Sequence, residues 1–416
     1  MPALLPIFKK AYWSLAAAGL LYAVFIACLC NSWVQRQYVL KAVVEVLKNQ
    51  VTPFNITTPD GETLYSWHIL PLSVYAKHEA EVLSQPSGPV SDFKHTTAFK
   101  LLTSDPESRL IINFHGNAGH VAQGWRTDTY RSLSSLPNTH IVTIDYRGFG
   151  RSTGTPSEAG LITDGIALTR FALSLGIPAH RIVILGQSLG TAVASAVGLH
   201  FADPGAEPLA GRLDFGDVSV GRGVGGNEAG EAGPPEFAGI VLVAPFTSLP
   251  KLLTTYRIFG LIPVLSPLRY YPRIRARVMA YIVDTWDTAA RISSLVRYYA
   301  AEGRGRLRLH ILHARNDFDI PWRQGSDLFL AAANASSTAD VGITKAEFEG
   351  RKVVMEKGEG GRTEVWKFGE GSTVIFEFLR HGGHNRVVTY SPVALAALRA
   401  FEAADDRLGE ERSRWH

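Results

Sequence analysis

The first long apolar run, YWSLAAAGLLYAVFIACLC at residues 12–30, carries no charged side chain and matches a hydrocarbon core in length at helical rise. It predicts a membrane-spanning helix. A cleaved signal peptide is the rival reading, but the run exceeds an ordinary signal core and offers only Cys28 and Cys30 before Asn31 as small residues for cleavage. VLKAVVEVLKN reads as a short helical linker, so residues 1–48 form the predicted anchor and linker, and residues 49–416 the globular body. The runs FNITTP and ETLYSWHIL, separated by Pro59-Asp60-Gly61, predict a β-hairpin. Residues 73–108 are polar without a clear period and read as a loop insertion.

From Arg109 onward, short apolar runs alternate with helix-length segments: RLIINFHG, HIVTIDY, RIVILGQS, GIVLVAPF, RLHILHARND and VIFEFLRHGGH. Runs rich in Ile, Val and Leu without polar alternation suit strands buried on both faces, and the segments between them suit parallel crossovers. The predicted fold class is therefore α/β, a mostly parallel doubly wound sheet. Three stretches interrupt it. Residues 203–236, with GRGVGGNEAGEAGPP, predict a disordered surface loop, and FEGRKVVMEKGEGGRTE predicts a hairpin excursion before the last strand. Residues 251–283 are apolar, aromatic and basic, with Lys251, Arg257, Arg269, Arg273, Arg275 and Arg277 and no acid, and predict a cap. One reading sets that cap against an anionic membrane surface; the other buries its Leu and Tyr on the sheet and leaves the arginines solvated.

Charge narrows the partners. The 42 basic and 38 acidic residues nearly balance, and no basic stripe with interleaved aromatics occurs, which excludes nucleic acid as an expected partner. The two cysteines both lie in the apolar N-terminal run, so the body holds neither a disulfide framework nor a cysteine metal site. Lys9 and Lys10 before the predicted span are balanced by Arg36 and Lys41 after it, so charge bias leaves orientation open. The sequons at Asn55 and Asn334 point to a lumenal or extracellular body.

Two serines sit in a GxSxG pattern, Ser152 and Ser188. A nucleophile elbow needs a strand, a sharp turn with the serine at its apex, and a helix that starts at once, with flanking glycines allowing close packing. Ser188 meets these needs: RIVIL precedes it, Gly186 and Gly190 flank it, and LGTAVASAVGLHF follows. Ser152 does not, because RGFGRSTGTP is full of breakers and a helix can begin only at the capping box Thr155 to Glu158. A serine hydroxyl needs a base held by a carboxylate, expected in the order Ser, Asp, His. LHILHARNDFDIPW offers Asp317 and Asp319, and the Asp317 to Pro321 spacing puts Asp317 straight after the strand. FEFLRHGGHNRV offers His381 and His384, and His384, beyond the Gly382-Gly383 hinge, reaches farther over the sheet. His310 and His313 fall within a strand and read as packed or hydrogen-bonded.

FHGNAGH supplies the expected oxyanion hole: the N–H of Asn117, with Ala118 as a further candidate, beside that of Leu189. Asp145 precedes the serine on a different strand and reads as structural. No phosphate loop, metal-ligand spacing or dinucleotide fingerprint occurs, so neither cofactor nor metal is expected.

With FHGNAG, DYRGFGRSTGTPSEAG, GQSLGTAVA, APFTSL, LHARNDFDIP and HGGHN, the chain resembles the membrane-anchored abhydrolase-domain lipases that cleave monoacylglycerols and lysophosphatidylserine. The resemblance covers residues 109–399 and implies an alpha/beta-hydrolase fold with Ser188, Asp317 and His384 as its triad. It also implies a single N-terminal anchor with the catalytic body in the endoplasmic reticulum lumen. The long loop, the excursion and the arginine-rich cap depart from that pattern. The expected function is hydrolysis of single-chain lipid esters at a membrane. A protein depalmitoylase or thioesterase, a peptidase, and a catalytically silent membrane module are the competing readings.

Overall fold

The computed structural model describes residues 47–209, 234–258, 262–263, 270–301, 304–337, 342–358 and 361–414. The predicted span, most of its linker, residues 210–233 of the glycine-rich loop and parts of the cap lie outside these. Among the described residues no helix is long and apolar enough to cross a membrane.

The predicted hairpin is present. Its strands β1 (Val51–Thr57) and β2 (Thr63–Ile69) pair antiparallel from Val51 opposite Ile69 to Thr57 opposite Thr63. Residues 73–108 depart from the expected loop, because they contain the short helices α1 (Leu72–Lys77), α2 (Glu79–Ser84) and α3 (Thr97–Thr103). Each is too short to repeat a helical period in the sequence. α1 and α2 are held by one buried residue each, Tyr75 and Val82, and α3 by Ala98, Leu101 and Leu102.

The six apolar runs form β3 (Arg109–Phe114), β4 (Thr139–Ile144), β5 (Ile182–Gln187), β6 (Gly239–Val243), β9 (Arg308–Ala314) and β12 (Ser372–Leu379). Two-residue strands β7 (Arg257–Ile258) and β8 (Ile262–Pro263) make a separate antiparallel ribbon within the stretch read as a cap. The excursion before β12 is indeed a hairpin: β10 (Val353–Glu356) and β11 (Gly361–Phe368) extend the sheet antiparallel beyond β12. The ten-stranded order is β1-β2-β4-β3-β5-β6-β9-β12-β11-β10, parallel from β4 to β12.

Unbroken apolar runs are explained by the two covered faces. Leu110, Ile112 and Ile184 point into one core with helices α5 (Glu158–Leu173), α6 (Leu189–Ala202), α9 (Thr288–Ala300) and α10 (Arg323–Ala335). Their neighbours Ile111, Val183 and Leu185 point into the other, with α4 (Trp125–Ser134) and α13 (Ser391–Arg414). Helix α5 is capped by Ser157, whose side chain accepts the Gly160 N–H, and not by Thr155 as the capping-box spacing predicts. Glu158 is thereby freed from the cap and forms a buried pair with Arg291 of α9.

The chain leaves β3 towards β4 on one side and resumes with β5 on the other. At this switch the loops after β3 and β5 diverge and leave a crevice at the carboxyl ends of the strands.

Candidate active site

Strand β5 delivers the chain to Ser188, which adopts φ 52° and ψ −119°, and α6 starts at the next residue. Such a conformation is costly for a residue with a side chain and survives only where the surroundings over-determine it. Here they do. A Cβ on Gly190 would lie 2.1 Å from the carbonyl oxygen of Phe114, and one on Gly186 would lie 2.2 Å from that of Gly190, so helix and strands meet backbone to backbone.

His384 meets this serine from the far end of the chain. Its Nε2 lies 2.9 Å from Ser188 Oγ and its Nδ1 lies 2.8 Å from Asp317 Oδ2. Gly382 and Gly383, both at positive φ, swing the chain after β12 into the four-residue helix α12 (Gly383–Arg386) that carries the imidazole. Asn316 Oδ1 accepts the Gly383 N–H, and the Gln187 side chain donates to the His384 carbonyl, which fixes the ring from both sides.

Asp317 sits in the turn after β9. Its Oδ1 accepts the N–H groups of Asp319 at 3.0 Å and Ile320 at 2.8 Å. Burial alone would raise its pKa, but the hydrogen bonds from His313 and His384 outweigh that and hold it at about 2. His384 shows the reciprocal effect: burial opposes its charge, and the Asp317 hydrogen bond and charge more than offset it, so its pKa is raised.

All three predicted triad residues are thus brought together, and of the unselected loop candidates, Asp319 and His381, only Asp319 lies beside them. His381 is exposed at the end of β12, and His310 pairs with the buried Glu377 across the sheet. Asp319 lines the cavity beside the triad, half-buried, its pKa raised by burial. Its carboxylate oxygen and the nearest ligand atoms of Asp317 and His384 lie within 4.8 Å of one another. Both nitrogens of that imidazole already have partners in Ser188 and Asp317. Ser152 is buried and structural, with its hydroxyl donating to the Asp145 carbonyl and accepting the Tyr65 N–H. Asp145 accepts the N–H groups of Val121 and Arg151, and burial raises its pKa to about 6.

His313 is packed and hydrogen-bonded as expected, but its contact with Asp317, and the part played by Arg126, escaped the sequence reading. His313, on β9, donates towards the Ile320 carbonyl at 2.9 Å and lies 3.3 Å from Asp317 Oδ2. The histidine four residues before the chosen carboxylate was the only available sign. Arg126, on α4, is buried against the loop after β3. Its guanidinium donates to the carbonyls of His120 at 2.6 Å, Gly116 at 3.0 Å, Asn117 at 3.4 Å and Ala118 at 2.5 Å. These bonds turn the carbonyls of the loop towards α4. Gly116 brings the loop close to the serine: a Cβ there would stand 3.3 Å from Ser188 Cβ. Among the described residues, the Asn117 and Leu189 N–H groups carry no hydrogen bond.

These groups open into a cavity of about 590 Å³. Ser188, His384, Gly116 and Asn117 line it together with the apolar residues Phe149, Leu161, Phe246, Leu252, Leu253 and Trp286. A hydroxyl, a base, an orienting carboxylate and free N–H groups beside an apolar chamber suffice for acyl transfer.

The model of the alpha/beta hydrolase family matches residues 111–398. Lysophosphatidylserine lipase ABHD12 of Danio rerio is 26% identical over 291 residues, covering 70% of this chain and 60% of that protein. The ABHD12 protein of Macaca fascicularis is 28% identical over 241 residues, covering 58% of this chain and 49% of its own length. Protein bem46 of Schizosaccharomyces pombe is 41% identical over 99 residues, covering 23% of this chain and 32% of that protein. The chain therefore spans about half of the length of the curated relatives it matches. Among solved structures, an alpha-beta hydrolase from Vibrio vulnificus aligns over 90% of this chain and 85% of its own, with TM-score 0.45 and 13% identity.

Proposed function

Because the chain belongs to the alpha/beta hydrolase family, we propose that it is a serine hydrolase that cleaves acyl esters of single-chain lipids, monoacylglycerols or lysophospholipids, through an acyl-enzyme. The observation that carries this reading is the continuous relay from Ser188 Oγ through His384 to Asp317, with bonds of 2.9 and 2.8 Å. His384 Nε2 takes the serine proton as Oγ attacks the ester carbonyl, while Asp317 holds the imidazole with its other N–H towards the carboxylate. The N–H groups of Asn117 and Leu189 stabilise the oxyanion. His384 then gives its proton to the departing alcohol as the ester C–O bond breaks; water attacks the acyl-enzyme carbonyl while His384 takes its proton, and the return of that proton to Ser188 Oγ as the acyl–Oγ bond breaks releases the fatty acid. Every step uses side chains and backbone of this chain, with neither cofactor nor metal.

Three observations support a lipid substrate: the apolar walls of the cavity, its volume, and the activity named for the ABHD12 relatives. We place the enzyme on a membrane through residues 12–30, with the body in the endoplasmic reticulum lumen. The exposed sequon asparagines Asn55 and Asn334 are compatible with that side.

The test is fatty-acid release from a panel of monoacylglycerols and lysophospholipids by membranes carrying the wild type or Ser188→Ala. Release by the wild type alone supports the reading and names the head group. Equal release from both refutes Ser188 as nucleophile. Turnover of acyl-thioesters or peptides, with none of lysolipids, refutes the substrate and leaves the relay for a depalmitoylase or a peptidase.

A further inference from the structure

Helix α8 (Pro272–Ala280) has no buried residue, although it belongs to the cap of a well-packed enzyme. So short a helix is marginal in water without a surface to pack on. Its large apolar residues are turned outward: Tyr271, Ile274 and Val278 are exposed, and the flanking Tyr281 and Val283 are 86% and 85% exposed. In α8 and its flanks, then, the apolar and aromatic residues are not laid on the sheet, whereas Leu252 is buried and Tyr256 packs against the core.

The pattern around the helix is ordered. Ile274, Val278 and Tyr281 are spaced four and three residues apart and so share one face, with Tyr271 at its start. At about 100° per residue, Arg273 and Arg277 lie on one flank of that face and Arg275 on the other. No Asp or Glu occurs from Phe237 to Val283. An apolar face flanked on both sides by arginines is the arrangement of a helix lying in the plane of a membrane interface. Tyrosines at its ends suit the headgroup level, and the charge of the three arginines suits anionic lipid.

Location joins this face to the site. The chain before α8, in helix α7 (Leu249–Thr255), lines the cavity with Leu249, Leu252 and Leu253, and the chain after it lines the cavity with Asp284 and Trp286. We propose that α8 docks in the plane of an anionic lipid surface, so that the cavity is presented to lipids in the same leaflet. This rests on the reading of the chain as a lipid hydrolase, and deepens it by naming the surface through which the cap meets its substrate's bilayer.

The test uses the full chain reconstituted into vesicles of phosphatidylcholine alone or mixed with phosphatidylserine. With Cys28 and Cys30 replaced by serine, Val278→Cys takes a single environment-sensitive fluorophore, and Val354→Cys, on the exposed β10 edge, serves as control. The expected result is a blue-shifted emission at 278, quenched by nitroxide-labelled lipid in the anionic vesicles, and aqueous emission at 354. Changing Arg273, Arg275 and Arg277 together to Gln is expected to weaken docking by on the order of a hundredfold, at about fivefold per charge removed near the surface. The same variant should slow hydrolysis of vesicle-borne lipid at least tenfold and leave a soluble short-chain ester unaffected.

Aqueous emission at 278 in both kinds of vesicle overturns the proposal. So does shielding that depends on protein concentration and appears as energy transfer between chains, which would assign the face to a second copy. If no ester of any kind is cleaved, the hydrolase reading fails, and the fluorophore at 278 still decides whether α8 docks.

Discussion

Replacing Asp317 by Asn probes the relay at the point where its geometry is most constrained. Oδ1 accepts two backbone N–H groups, from Asp319 and Ile320, and Oδ2 faces His384 Nδ1 at 2.8 Å and His313 Nε2 at 3.3 Å. An amide must keep its oxygen on the two backbone donors, so its NH2 group turns towards His384 and His313. His384 can then avoid a clash of donors only by placing its proton on Nε2, facing Ser188. In that tautomer the imidazole has no lone pair for the serine proton. Loss of the correct tautomer in a serine relay lowers kcat about 10⁴-fold, or about 5 kcal/mol of transition-state stabilisation. KM should change far less, because Asp317 is not among the groups lining the cavity. A soluble chromogenic ester gives kcat and KM, and the labelling rate of Ser188 by a fluorescent phosphonate gives the nucleophile's reactivity directly. The variant must still be folded for either number to count. The carboxyl pKa of about 2, against an ordinary 3.8, represents on the order of 2 kcal/mol of stability. That contribution is complete above the ordinary value and is lost as pH falls through about 2, so at neutral pH the variant should melt a few degrees lower. A fall in kcat of less than tenfold, with labelling unchanged, would refute the argument and point to Asp319 as the orienting group.

The raised pKa of His384 places the rising limb of kcat/KM above the ordinary histidine value of 6.5, since the imidazole acts as base only when neutral; a limb at or below 6.5 in a pH–rate profile counts against the relay. Gly190→Ala should fail to reach the folded state or lose at least about 3 kcal/mol in denaturant melts, because its Cβ meets the Phe114 carbonyl at 2.1 Å. Gly116→Ala should fold and lose activity instead, because the contact with Ser188 is only tight at 3.3 Å. Arg126→Ala should lower kcat by about 10²–10³ with KM little changed, the effect of losing an oxyanion donor, and a kcat within threefold of wild type would show that the loop holds its shape unaided. Leu253→Trp should shift the preferred acyl chain to shorter lengths in a chain-length series, and an unchanged optimum would remove that wall from the acyl path.

The central strands were legible because both faces of β3, β5, β6, β9 and β12 are covered, which turns each into an unbroken apolar run. Ser188 and His384 were legible for a local reason: the glycines beside them announce the turns that aim their side chains. Asp317 followed from its place just past a strand. What stayed hidden depends on tertiary contact. Helices α1 and α2 have no period of their own to display and α3 shows a single turn of one, while the cap of α5 passes from Thr155 to Ser157 and Glu158 finds Arg291 across the core. Nothing near Arg126 in the sequence marks it as the donor to four carbonyls of the loop after β3. Likewise His313 reads as one more strand residue until the turn folds Asp317 back onto it.

The reacting groups follow β3, β5, β9 and β12, all within one block of neighbouring parallel strands, while the hairpin β1–β2 and the pair β10–β11 stand outside that block. A chain built this way can lengthen or trade its margins without altering the spacing of its chemistry. Edge additions then become the cheapest places for related proteins to diverge, and the safest places to attach a tag or a second domain.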